Sequence, residues 1–140
     1  MECEYLPDEL RAEEFLSLRA VSGLKPIDIA LVRAALGKSI VTIKAVLGGE
    51  LAGFARVAGD GALVFIVCDV LVHPALRCKG IGSQLVRRTM DELARRIPRG
   101  TWVQVSLFPA PGRDGFYRRL GFSPNEGIGP SMHAYITNPG

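Results

Sequence analysis

Val70-Leu71-Val72-His73-Pro74-Ala75-Leu76-Arg77-Cys78-Lys79-Gly80-Ile81-Gly82-Ser83 runs from an apolar strand, through a basic turn with two glycines, into the start of a long helix. A helix start offers backbone N–H groups that have no partner inside the helix, together with the positive end of the helix dipole. Gly80 and Gly82 remove the Cβ atoms that would hold a ligand off the backbone. Arg77 and Lys79 add positive charge at the same place. Strand, turn and helix together form an anion cradle suited to phosphate or pyrophosphate.

Downstream of the turn, Leu85, Val86, Met90, Leu93 and Ile97 fall on one face of a helix over Ile81 to Ile97, opposed by Arg87, Arg88, Asp91 and Arg95. Pro98 and Gly100 stop it. Thr101 to Leu107 reads as a strand, Pro109 to Gly112 as a loop, and Arg113 to Leu120 as a two-turn helix closed by Gly121. Phe122 starts a short strand, 124–130 is a loop, and Met132 to Ile136 closes the sheet.

Upstream, 62–72 reads as one central strand, covered on both faces because it is nearly all apolar. Asp69 interrupts it, and a carboxylate there needs a partner. Gly48-Gly49 predicts a hairpin between strands at Ser39 to Leu47 and Leu51 to Ala58. Two helices precede them, one from Arg11 to Ser22-Gly23 and one from Pro26 to Gly37, after an extended segment over residues 1–10. The expected fold class is α/β (α+β): one domain over residues 1–140, a mixed and mostly antiparallel sheet with helices on both faces. The element order is β-α-α-β-β-β-α-β-α-β-β, with a strand–helix–strand unit at its centre.

The 140 residues suit one domain with a sizeable core, and 48% hydrophobic with 22% charged residues excludes a disordered chain. A net charge of +3 suits an anionic ligand. The pairs Arg87-Arg88, Arg95-Arg96 and Arg118-Arg119 read as solvated helix faces, so nucleic acid is not an expected partner. Cys3, Cys68 and Cys78 have no metal-ligand spacing, and no metal is expected. Cys68 reads as a core residue. Cys78, in the basic turn, reads either as a small residue the turn tolerates or as an activated thiol. The acidic opening Met1-Glu2-Cys3-Glu4 is unlike a secretory signal and no segment is apolar enough for a membrane span, so a cytoplasmic protein is expected, with no membrane partner.

The turn satisfies neither the P-loop pattern nor the dinucleotide fingerprint. Taken alone, it also fits a tight corner with incidental charge. Arg77, Gly80 and Gly82 do meet the pattern Arg/Gln-x-x-Gly-x-Gly/Ala, and Phe116-Tyr117-Arg118-Arg119-Leu120-Gly121-Phe122 meets Phe-Tyr-x-x-x-Gly-Phe. These two motifs, in this order of elements, resemble the GCN5-related N-acetyltransferase (GNAT) family. The likeness is strong from Leu51 to Phe122 and faint before Ser39. It implies acetyl-coenzyme A as co-substrate and an amine as acceptor, either a small molecule or a protein amine, with a homodimer left open. By position, the backbone of Arg77, Cys78, Lys79, Gly80, Ile81, Gly82 and Ser83 would hold the pyrophosphate. The segment Val70, Leu71 and Val72 would bind the pantetheine arm, Val70 and Val72 pairing with it as if with an extra strand. The strands at 62–72 and 101–107 would splay apart beside a bulge in the first of them.

The implied chemistry is direct attack by a neutral amine in a ternary complex, with a proton supplied to the departing thiolate. Tyr117 is the candidate donor, because a phenol with pKa near 10 stays protonated at neutral pH. Read alone, Tyr117 is as well explained by packing beside Phe116. A lysine-like amine is neutral in only about one molecule in 2,500 at pH 7, a penalty of roughly 4.6 kcal/mol. Asp69 is the candidate base; some relatives place an acid there and others three residues earlier, where this chain has Ile66. An Asp69 satisfied by nearby backbone N–H groups explains the same residue equally well. Ala110 and Arg113 stand where the family often has Asn and Ala. Substrate choice would come from the two N-terminal helices, the Phe54 to Arg56 strand and the Glu126 to Tyr135 closing segment; His133 and Tyr135 could face the acceptor, and as lone residues at alternating strand positions they fit core or surface places as well. The alternative function is a non-catalytic acyl-coenzyme A-binding domain.

Overall fold

The long helix α3 (Ile81–Arg96) buries Ile81, Leu85, Val86, Thr89 and Leu93 along one stripe and keeps Arg87, Arg88, Arg95 and Arg96 in solvent. The buried Thr89 hydroxyl donates to the Leu85 carbonyl at 2.6 Å, so that the stripe holds no orphaned donor. The computed structural model describes residues 2–127 and 129–140. Met1, expected in the first extended segment, and Ile128, expected in the 124–130 loop, lie outside the described residues.

The elements follow the predicted order: β1 (Glu4–Pro7), α1 (Ala12–Val21), α2 (Ile29–Lys38), β2 (Val41–Leu47), β3 (Glu50–Gly59) and β4 (Phe65–Val72) precede α3. After it come β5 (Thr101–Leu107), α4 (Asp114–Arg119), β6 (Ser123–Pro124) and β7 (Met132–Asn138). The strands form one sheet in the order β1-β2-β3-β4-β5-β7-β6. Among the described residues β4 and β5 are the one parallel pair, and the other pairs are antiparallel. Gly48 and Gly49, at φ 59° and 81°, make the tight β2–β3 hairpin.

Two cores flank the sheet. On one face α3 covers Val41, Ile43, Val57, Phe65, Val67, Val105 and Leu107, and Phe116, Tyr117 and Leu120 of α4 pack against the same cluster. On the other face α1 and α2 bury Phe15, Leu18 and Val32 against Phe54, with the Phe15 and Phe54 rings stacked 4.9 Å apart.

Three expectations are corrected. The second helix begins at Ile29 rather than Pro26, because the Asp28 carboxylate caps it by accepting from the Ala30 N–H at 2.8 Å. It runs through Gly37 to Lys38, where the Ser39 hydroxyl donates to the Ala35 carbonyl. The central strand begins at Phe65 rather than Ala62, since the Asp60 carboxylate accepts from Ala62, Leu63 and Val64, each at 2.8 Å, and holds them in a loop. Cys68 is exposed rather than in the core. Arg56 pairs with Asp69 and Val57 with Val67, so Cys68 is the extra residue of a bulge.

Candidate active site

The bulge separates β4 from β5. Their parallel pairing covers Ile66↔Ser106 and Val67↔Leu107 and then ends, while β3 follows β4 as far as Gly53↔Val72. The His73 N–H donates to the Ala52 carbonyl at 2.8 Å, toward β3. Peptide orientation alternates along a strand, so the backbone groups of Leu71 also face β3, and those of Val70 and Val72 face the side that β5 has left. Val70, Leu71 and Val72 are consequently half-buried, where a strand covered on both faces was expected.

This edge opens into a cleft of about 740 Å³. Val70, Leu71, Val72, Arg77, Cys78, Gly80, Ile81, Gly82, Ser83 and Tyr117, all singled out in the sequence, line it. Lys79 and Asp69 are not among the lining residues. Leu76, Ala110, Gly112, Arg113, Gly115, Phe116 and Arg119 complete the wall. Of these, Leu76 lies in the opening stretch, Phe116 and Arg119 lie inside the second motif, and Ala110 and Arg113 stand where the family often has Asn and Ala; Gly112 and Gly115 carried no signal of their own. Three arginines and no carboxylate line the cleft among the described residues.

At its polar end the start of α3 is left bare. Gly80 takes the N-cap position in the left-handed region (φ 80°), supplies no capping side chain, and is followed by no acid in the first turn. By contrast, Asp28 caps α2, and α1 carries Glu13 and Glu14 in its first turn. The first intrahelical bond runs from the Gln84 N–H to the Gly80 carbonyl, so Ile81, Gly82 and Ser83 present N–H groups without helical acceptors. Cys78 also lies in the left-handed region (φ 65°), so two of the three residues 78–80 take this conformation. A Cβ on Gly82 would meet the Phe116 ring at 3.5 Å and Val72 at 3.6 Å, which places the helix start, the strand edge and α4 around one point.

Tyr117 stands at the apolar end, edge-on to Phe116 (4.9 Å) and Phe122 (5.8 Å). Burial raises its phenol pKa above 10, opposed by the Arg113 charge. The hydroxyl therefore keeps its proton throughout the neutral range.

Asp69 lies on the α1/α2 side of the bulge. Its Oδ2 accepts from Arg56 Nε at 2.7 Å, and Arg56 reaches the Ser39 hydroxyl at 3.3 Å. That carboxylate oxygen is therefore already engaged by the guanidinium. On the same face, β7 carries His133 and Tyr135, while Met132 and Ile136 turn into the α3 core. Tyr135 is exposed and stacks edge-on with Trp102 and His133.

A bare helix start, three arginines and an unpaired strand edge fit a long ligand with phosphates at one end and amide groups along its arm. Residues 38–124 match the acetyltransferase (GNAT) domain family, well over half of the chain. The chain belongs to the GCN5-related N-acetyltransferase family. It is 38% identical over 76 residues to serotonin N-acetyltransferase 2 of rice, a match covering 54% of this chain and 36% of the relative. It is 30% identical over 115 residues to GCN5-related N-acetyltransferase 1 of Arabidopsis thaliana, covering 81% of this chain and 56% of that one. The chain thus spans about a third to a little over half of these relatives' lengths. A GNAT-family acetyltransferase structure from Streptococcus pneumoniae superposes with a TM-score of 0.69 at 27% identity, over 87% of this chain and 88% of the other.

Proposed function

We propose that this chain transfers an acetyl group from acetyl-coenzyme A to the nitrogen of an amine acceptor, by direct attack within a ternary complex. One observation carries the reading: the bare α3 start, the unpaired edge of β4 and the Tyr117 phenol all line a single cleft. Acetyl-coenzyme A supplies the activated acyl group. The N–H groups of Ile81, Gly82 and Ser83, with Arg77, hold the anionic end. The backbone of Val70 and Val72 orients the arm like an added strand, and Tyr117 holds a proton for the departing sulfur.

Thiol release in the presence of acetyl-coenzyme A and a panel of amines tests this. The panel includes a simple alkylamine, a lysine peptide and serotonin, the last from the name of the rice relative. Amine-dependent release above the hydrolytic background is expected. Binding of acetyl-coenzyme A, seen as a raised melting temperature, with no amine stimulating release would instead make the chain an acyl-coenzyme A-binding module.

A further inference from the structure

We propose that His133, oriented by Asn125, is the general base that takes the proton from the acceptor's ammonium group. The inference rests on the acetyl-transfer reading above. The acceptor must lose a proton before it attacks, and Asp69, among the described residues the one acid at the bulge, is tied through Oδ2 to Arg56. The α1/α2 face beside the opening offers a different group. His133 pairs with Ser106, and Ser106 with Ile66, so His133 shares a row of the sheet with the second-to-last parallel pair before β4 and β5 part. At about 4.8 Å per strand, the mouth between β4 and β5 lies roughly 7 Å across the sheet from the His133 backbone, on the side away from Asn125, so the proton would reach Nε2 through water.

The orientation of the Asn125 amide sets the tautomer proposed for this ring. The Asn125 side-chain nitrogen donates to the Ser131 hydroxyl at 3.1 Å, leaving Asn125 Oδ1 to face His133 Nδ1 at 2.5 Å. With the amide turned this way its oxygen accepts, so the proposal puts the proton on Nδ1 and leaves the lone pair on Nε2. A base whose far nitrogen is fixed by a third group is the arrangement that general-base catalysis uses. The other histidine of the chain is set the opposite way. His73 Nδ1 accepts from the Ala75 N–H at 3.1 Å, which puts its proton on Nε2.

No charged side chain stands among the immediate strand partners of His133, which are Ser106 on β5 and Ser123 on β6. Tyr135, next on the same face of β7, touches its ring at 5.4 Å. Beyond Ser106, the Arg56–Asp69 pair and the Cys68 thiol are the titratable groups on the facing part of β3 and β4. An ammonium carries three protons and the amide product keeps one. One passes to His133 Nε2 before attack and on to solvent. The second leaves as the N–C bond forms and the C–S bond breaks with its electron pair on sulfur; it replaces the proton that Tyr117 gives to the thiolate.

Two measurements test this. Nitrogen NMR of the imidazoles in the unliganded chain should show one histidine protonated at Nδ1 and one at Nε2, the Nδ1–H signals vanishing in His133→Gln. Two Nε2–H rings would overturn the proposal. In kinetics, His133→Ala should lower kcat/KM for an alkylamine about a hundredfold, flatten the acidic limb of its pH profile and recover activity with added imidazole. The deficit should shrink for trifluoroethylamine, which is already neutral at pH 7. An equal deficit for both amines, or no rescue while acetyl-coenzyme A still raises the melting temperature, would overturn it. A wild-type chain without amine-dependent turnover would remove the acetyl-transfer reading and this inference together.

Discussion

Arg56 and Asp69 face each other across β3 and β4 at the bulge, joined at 2.7 Å with about a fifth of each side chain exposed. Arg56 also reaches Ser39 at the end of α2, so the pair ties the bulge to the α1/α2 layer. Asp69→Ala should destabilise the fold by about 1–3 kcal/mol, between the values of exposed and buried pairs. The double variant Arg56→Ala/Asp69→Ala should lose less than the sum of the two single variants. Denaturant midpoints for the four proteins of this cycle measure the coupling, and strict additivity would deny the pair any role in holding the bulge.

The bare start of α3 predicts opposite effects of one substitution. Ser83→Asp places a negative charge in the first turn, where it should stabilise the unliganded chain by about 0.3–1 kcal/mol. The same charge should repel the phosphates and weaken acetyl-coenzyme A binding tenfold or more. Melting scans with and without acetyl-coenzyme A read both effects, and a shift of the same sign in each would remove the anion role from this helix end.

Gly53 lies opposite Val72 on the edge of the cleft. A Cβ there would fall 2.6 Å from the Leu71 carbonyl oxygen and 3.0 Å from a Leu85 methyl, and the first of these is backbone that has little room to give. Gly53→Ala should therefore cost about 1–3 kcal/mol of stability by forcing β3 and β4 apart. It should also weaken cofactor binding, because the displaced strand presents Val70 and Val72. Chemical denaturation and calorimetric titration check the two halves of this expectation.

Tyr117 links pH to both rate and stability. Burial raises its pKa, so the folded chain favours the protonated phenol. That contribution is complete below about pH 10, the ordinary phenol value, and is lost as pH climbs through the raised folded value. Tyr117→Phe should thus flatten the loss of stability above pH 10, and a variant as alkali-sensitive as the wild type would contradict it. Tyr5, also raised chiefly by burial, should leave a residual slope. At neutral pH the same substitution should slow acetyl transfer about a hundredfold with cofactor affinity little changed.

Local patterns carried most of this fold. The stripe of α3 and the glycine hairpin are written in residues a few positions apart, and the structure places them as read; residues of both motifs line one cleft. Interactions that cross the sheet were not legible. Nothing in 62–72 announces that Asp60 will fold three residues back on itself, or that a bulge will turn Cys68 outward. The Arg56–Asp69 and Asn125–His133 partnerships depend on strand register, which residue types alone leave open. For the same reason the sequence shows His133 only as a lone strand histidine, with nothing to pair it with Asn125.

The short parallel pairing of β4 with β5 bears on how the molecule holds together. Two register positions stitch the β1–β4 leaf to the β5–β7–β6 leaf, and α3 lies across both as the spine. A molecule bound along the edge of β4 lengthens that seam. Binding free energy then acts also as cooperativity between the leaves, so the liganded chain should open as one unit where the empty chain lets its leaves exchange separately.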